Sequence, residues 1–344
     1  MKWTAQIGAV RKMRFFFDES GGFEARPRAH RAGIVVAAVL PESALDEVFG
    51  RVKGFITTLS KIERHKGEPK GARLTDANRL AFCELAAECE DLMLAVTMLD
   101  ITPLAKMDAT TLRTSIIQRL NGLAGQCRYE TMRNEVILLA KQVGNLSIPQ
   151  TLRLTATARC VMRALNHAVV RFAADCYRPC WNTMSFELDS VQTRPGNREQ
   201  QVFESLLPAW ITAWSIKYPI TTVEELHTPD HPFIERYGHP DGINLGEILR
   251  GNVHWRESSA NPGIQIADMA AAVVSRAAHG MRGIATAREI ADYAILMKRA
   301  LLPQDDQLGI FSIVETARDD IGRRYAGLLD TVLAVRRGCI VPTE

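Results

Sequence analysis

The chain has 344 residues, 47% of them apolar and 24% charged, with a formal net charge of +3. That balance belongs to a globular protein of one large or two ordinary domains and excludes a disordered chain. No apolar stretch reaches the ~18 residues of a membrane span, and Met1–Lys12 lacks the apolar core of a signal peptide, so no membrane association is expected.

Residues 14–20, Arg-Phe-Phe-Phe-Asp-Glu-Ser, and residues 32–40, Ala-Gly-Ile-Val-Val-Ala-Ala-Val-Leu, read as two strands of a wide hairpin. A helical pattern runs from Ser43 to about Ser60, followed by a charged, irregular stretch from Lys61 to Arg73. Thr75 or Asp76 caps a helix reaching about Glu90, with Leu80, Cys83, Leu85 and Ala87 on its apolar side. Leu92–Leu99 is a third strand. Residues 108–178 read as two long antiparallel helices, the first capped by Asp108, with a break at Gly144–Pro149. Thr183–Val191 is a fourth strand, Arg198–Trp214 an amphipathic helix and Ile216–Val223 a fifth strand. Residues 227–262 read as a long structured loop with a short helix at Leu245–Leu249. Gly263–Ala278 is a helix of small residues, and further helices fall near 286–302 and 314–335. Early strands, long helices, a further strand and closing helices make an α/β pattern with a mixed sheet.

Four acids stand out against this frame. Asp18 ends the first strand and Asp189 the fourth. Glu68 sits in Gly67-Glu68-Pro69-Lys70-Gly71 beside a helix start. Asp268 lies one turn into an apolar helix, with Ile264, Ala271 and Ala272 at helical spacing around it. A carboxylate in such surroundings is paired or coordinating, because burying it unpaired is costly. Hard divalent cations take oxygen ligands, and two of them about 4 Å apart activate a water and stabilise the leaving oxygen of a phosphodiester. Acids on two strand ends and one helix build such a site if the fold brings them together.

The segments Phe16-Phe17-Asp18-Glu19-Ser20-Gly21, Lys70-Gly71 and Gly263-Ile264-Gln265-Ile266-Ala267-Asp268 resemble the bacterial and phage family catalogued as domain of unknown function 3800. That family is similar to the ribonuclease H-like superfamily in fold and in its acidic residues. The likeness spans about residues 14–280. It implies a ribonuclease H-like mixed sheet flanked by helices, with a long helical insertion. Residues 1–107 and 181–280 would be the two halves of the core, 108–180 the insertion and 281–344 a C-terminal helical extension. It also implies Mg²⁺- or Mn²⁺-dependent nuclease chemistry, with two ions held mainly by Asp18, Asp189 and Asp268. Glu19 and Ser20 fit the family's Asp-Glu-Ser-Gly motif and Gln265 its Gln-Ile-Ala-Asp motif. Glu68 and Lys70 match its Glu/Lys-Gly segment more loosely, because Pro69 interrupts it.

On this reading Glu19 or Glu68 adds a ligand or orients water, Lys70 steadies a phosphate, and Ser20, Arg73 and Gln265 join it in binding substrate. His254, near the Asp268 helix, is the choice for a histidine that grips substrate or protonates the leaving group. Basic residues at Arg26, Arg28, His30 and Arg31, and at Arg64, His65, Lys66, Lys70 and Arg73, flank the acids and suit phosphates. The loop holding His227, Asp230, His231, His239 and Asp241 also holds Pro229, Pro232 and Pro240, which argues for a rigid loop rather than a zinc site. No nucleophile elbow, phosphate loop or dinucleotide fingerprint is present. Seven scattered cysteines point to buried thiols in a reducing, cytoplasmic compartment. The expected work is nucleic-acid hydrolysis, with the helical stretch as a gripping, partner-binding or dimerising element. The rivals are a non-catalytic component of a defence-type assembly and a hydrolase of a small nucleotide.

Overall fold

In the computed structural model, the described residues are 12–23, 32–104, 107–172, 175–190, 198–217, 231–239, 242–243, 245–279, 286–299 and 310–311, with single positions at 328, 330–331 and 334. The N-terminal half runs β1 (Lys12–Ser20), β2 (Ala32–Pro41), α1 (Leu45–Thr58), a small hairpin of β3 (Arg64–His65) and β4 (Glu68–Pro69), α2 (Asp76–Glu88) and β5 (Met93–Asp100). Three helices follow: α3 (Ala109–Gln126), α4 (Glu130–Val143) and α5 (Ile148–Arg171). The rest is β6 (Thr183–Asp189), α6 (Arg198–Lys217), α7 (Pro232–Tyr237), a second small hairpin of β7 (Gly238–His239) and β8 (Gly242–Ile243), α8 (Leu245–Leu249), β9 (Val253–Arg256), α9 (Pro262–His279), α10 (Ala287–Met297) and β10 (Ile310–Phe311).

The fold is mixed α/β. One six-stranded sheet has the order β10-β5-β2-β1-β6-β9. β2 runs antiparallel to both neighbours, while β1, β6 and β9 are parallel. Every residue of β2 and β5 is buried, as expected of strands covered on both faces. Strand alternation divides the core in two. Phe15, Phe17, Val35, Ala37, Phe186 and Leu188 pack on the side of α5 and α6. Phe16, Ile34, Val36 and Ala38 pack on the side of α1, α2, α9 and α10. α9 lies directly on β1 and β2, with alanines at 267, 270 and 271 and Gly263 against the Phe16 ring. A Cβ at Gly263 would stand 2.4 Å from that ring, so only glycine allows the approach.

Several expectations are corrected. Residues 109–171 form three helices, not two. The periodicity continues through Cys127–Tyr129, but the chain turns there, so that α3 and α4 bury their apolar faces against each other. The third helix is capped by Ser147 and Gln150, which close a reciprocal capping box. It packs on β2 and β5, so α5 forms a layer of the core. On α2 the buried side is Arg79, Phe82, Cys83 and Ala86, while Leu80, Leu85 and Ala87 are only half-buried. The fifth strand beside the fourth is β9, within the stretch read as loop. Ile216 and Lys217 finish α6, and 218–223 lie outside the described residues. Most of the helix expected at 314–335 lies outside them as well. Cys83, Cys89, Cys127, Cys160 and Cys180 are buried. No helix among the described residues is long and apolar enough to cross a membrane.

Candidate functional site

Asp18 and Asp189 follow Phe17 and Leu188, which pair in register on parallel β1 and β6. Phe17 and Leu188 face α5 and α6, so by alternation the two aspartates face α9, side by side at the carboxyl ends of adjacent strands. Ligands of open α/β sheets collect at such ends.

Asp268 reaches the same place from α9, and the loop before α2 meets it there. The Gly71 N–H donates to Asp268 Oδ2 at 3.0 Å. A Cβ at Gly71 would stand 2.7 Å from the Asp268 carbonyl oxygen and 2.8 Å from Met269 Cα, so the Lys70–Gly71 backbone sits on the helix only because residue 71 is glycine. Lys70 Nζ is 3.0 Å from Glu68 Oε1. The β3–β4 hairpin that delivers both turns through Lys66 and Gly67, each in the left-handed region at φ 53° and 86°, as tight two-residue hairpins require.

Behind this loop is Glu63, which is 2% exposed and not the solvated loop acid its charged neighbourhood suggests. Its carboxylate accepts from the Ser60 N–H and hydroxyl, the Thr75 N–H and the Asn78 amide, at 2.7–3.0 Å. Burial alone would raise its pKa, but these donors hold it down at about 2. The Glu63 carbonyl accepts the Lys70 N–H at 2.9 Å, so the loop hangs on a buried charge.

On the other side, the Ser258 N–H donates to Asp189 Oδ1 at 3.3 Å. Gln265 Nε2 donates to the Ser258 and Ser259 carbonyls at 2.7 and 3.2 Å. Gln265, expected at the substrate, thus spends its amide N–H groups on this turn. The side chain is buried and holds the turn that holds Asp189. Glu187, buried one alternation earlier on β6, binds Arg14 and the Asn261 amide, and Asn261 Oδ1 accepts the Gly263 and Ile264 N–H groups at the start of α9.

The electrostatics tie these groups together. The Asp18 carboxyl is raised well above its ordinary pKa, first by burial and then by Asp268, with Asp189 and Glu19 adding to it and the Glu19 N–H opposing. Asp268 is raised by burial, against the Gly71 N–H and Lys70, with Glu68 and Asp189 adding to it. Asp189 is raised by burial, against Ser258 and Lys70, with Glu68 adding to it. Burial works against the Lys70 ammonium, but Glu68, Asp268 and Asp189 outweigh it and raise its pKa. The separated aspartates thus share one locality with Glu68 and Lys70, and the negative charge there exceeds the positive.

This all-oxygen donor set has the chemistry hard divalent cations take. Among the described residues, however, no three Asp, Glu, His or Cys side chains stand close enough together to enclose a metal ion. The side chains as they stand form no closed two-ion cluster. What fits is the open mode of Mg²⁺, bound by one or two carboxylates while waters and substrate phosphates complete its shell.

A pocket of about 570 Å³ opens beside these acids. Asp18, Glu68, Lys70 and Asp189 line one end, and Arg153, Thr157, Gln200, Phe203 and Trp255 the other. Glu19 is on the wall, its carboxylate 3.0 Å from Arg153 Nε. Lys66 also lines the pocket, whereas Ser20 and Arg73 do not. His254 does not either. It pairs in register with Glu187 while its neighbour Trp255 forms the wall, and burial, with Arg256 next, lowers its pKa. His231 is the N-cap of α7, accepting from the Phe233 N–H. His227, Asp230, Asp241, Arg26, Arg28, His30 and Arg31 lie outside the described residues. Sequence reasoning missed Arg153, Gln200, Phe203 and Trp255 as pocket residues; an amphipathic-helix pattern marks all but Trp255 as helix positions without marking the pocket.

Compared with protein-family models, curated proteins and solved structures, the chain matches none. The class that fold and site define is therefore stated from geometry alone: a mixed α/β protein with a carboxylate-rich pocket at the ends of two parallel strands.

Proposed function

We propose that this protein hydrolyses phosphodiester bonds of nucleic acid with a Mg²⁺ or Mn²⁺ cation at the acidic end of the pocket. The observation that carries the reading is the convergence of Asp18, Asp189 and Asp268, each with a raised pKa, beside a lysine that is itself hydrogen-bonded to Glu68. Such charge is costly without a cation. The strand order, with β2 alone reversed in the six-stranded sheet, supports a ribonuclease H-like sheet as the scaffold. One or two of Asp18, Asp189 and Asp268 would hold the cation directly, and the rest through its waters. When bound it would supply a more acidic water and charge stabilisation at the phosphate.

The chain's own residues do the positioning. The Gly71 N–H holds Asp268 and Ser258 holds Asp189, so both carboxylates are oriented before a ligand arrives. Lys70, steadied by Glu68, offers an ammonium to a phosphate oxygen. Glu68 and Glu19, both on the wall, are the acids available to orient a water.

The test is an assay on single- and double-stranded DNA and RNA in Mn²⁺, with calorimetric titration of Mn²⁺ alongside. Cleavage lost with chelator and with Asp18→Asn, together with weakened Mn²⁺ binding in that variant, is the expected result. Cleavage that persists in chelator, or Mn²⁺ binding indifferent to Asp18, overturns it. Binding of nucleic acid without cleavage under any cation would instead support a non-catalytic role.

A further inference from the structure

We infer that the end of the pocket away from the acids seats one unstacked nucleobase, so that the substrate is single-stranded nucleic acid read one nucleotide at a time. This rests on the phosphodiester reading and adds the substrate class to it.

Three observations converge. At about 570 Å³ the pocket is the size of small-ligand sites, which admits one nucleotide and not a duplex. Its far wall presents Trp255, half-buried and braced by buried Phe203 in an edge-to-face pair with centroids 5.8 Å apart. Single-stranded nucleic acid is held on such fixed aromatic side chains, because every base has a face to stack. The same wall carries two donors, Gln200 Nε2 and Trp255 Nε1, that find no acceptor among the described residues and lie closed off beneath its surface, so a ligand meets them only as the side chains turn toward it. Gln200 is 9% exposed, and buried polar groups of folded proteins are nearly always hydrogen-bonded. An apolar ligand leaves both donors unmet. The edge of a base brings carbonyl oxygens and ring nitrogens that accept.

The pocket's two ends also stand in the order a nucleotide needs. Lys70 and the carboxylates meet the phosphate, while Gln200 and Trp255 meet the base. Arg153, engaged with Glu19, lies on the wall as well. The acids alone would accept any phosphodiester, whereas the donor-bearing aromatic wall asks for an exposed base.

The experiment measures binding of fluorescein-labelled oligonucleotides to the full chain by anisotropy in Mg²⁺, using the Asp18→Asn protein so that nothing is cleaved. The probes are a single strand, the same strand in a duplex, the same length of abasic backbone and a mononucleotide. The expected result is preference for the single strand over both duplex and abasic backbone. Trp255→Ala should weaken single-strand binding about tenfold, as loss of one stacked base does, and leave abasic binding unchanged. Gln200→Ala and Trp255→Phe, which keeps the ring and loses the donor, should each weaken it less, and unfolding midpoints confirm that the variants fold. Equal affinity for abasic and normal strands, or tighter duplex binding, overturns the inference. A mononucleotide that competes as well as the strand keeps the base seat but moves the substrate to a free nucleotide, overturning the polymer claim. The two readings fail separately. Cleavage by wild type with no base dependence sinks the base seat alone. Base-dependent binding with no cleavage by wild type sinks the hydrolysis alone.

Discussion

Two sets of aspartates in this molecule are treated in opposite ways. Asp292 on α10 is buried, and so is its partner Arg79 on α2. Each side chain is 1% exposed, with Nε and Oδ2 2.5 Å apart. Arg79 also reaches Asp76 at 2.8 Å, so the charge inside is matched by the chain itself. At the other end of α9, Asp18, Asp189 and Asp268 have Lys70 nearby, and Glu68 already engages it. The first arrangement joins two helices. The second holds like charges together at the proposed cation site, which no requirement of stability explains.

The comparison can be broken at its strong end first. Arg79→Met leaves Asp292 buried without its cation, so urea unfolding should show a loss of about 3–5 kcal/mol, as when one partner of a buried pair is removed. The converse change at the site should have the opposite sign. Asp18→Asn removes repulsion, so the metal-free protein should gain on the order of 1 kcal/mol at pH 7 while hydrolysis falls by about 10²-fold or more.

The pH dependence sharpens the same contrast. The three aspartates have folded pKa values raised above their unfolded values. Their contribution to stability is therefore fully present below the ordinary carboxylate range and is lost as pH rises through the raised values. Glu63, held at about 2, contributes in the opposite sense. Its share is present above the ordinary glutamate value and is lost as pH falls toward 2. Thermal midpoints of metal-free protein should peak on the acid side of neutrality, and Asp18→Asn should flatten only the fall on the alkaline side.

Smaller effects follow at positions that act through others. Gln265→Ala removes the donor that holds the Ser258–Ser259 turn, at a cost of about 1–2 kcal/mol. Steady-state kinetics should show kcat reduced about tenfold with KM nearly unchanged, since Asp189 is displaced while the base wall is intact. His254→Ala should have the least effect, with stability within about 0.5 kcal/mol and kcat unchanged, because the side chain faces Glu187 and not the pocket.

Asp18, Asp189 and Asp268 were legible because each breaks a local pattern: a strand-ending acid after a β-forming run, or a carboxylate on an apolar helical face. The same locality hid their supports. Glu63 sits in a stretch of charges that reads as solvated, and only the approach of Ser60, Thr75 and Asn78 makes it a buried anchor. β9 is four residues long, with a pattern too short to stand out, and is a strand because β6 offers it an edge.

The order of acids along the chain, the α/β pattern, the early hairpin and the small-residue helix all follow from local periodicity and turn chemistry, which depend on neighbours in sequence. The turn between α3 and α4, the place of α5 in the core, the burial of Gln265 against the Ser258–Ser259 turn and the aromatic wall of the pocket do not. Each depends on which surfaces meet after the chain has closed on itself, and burial and hydrogen-bond pairing across long separations are properties of that closure.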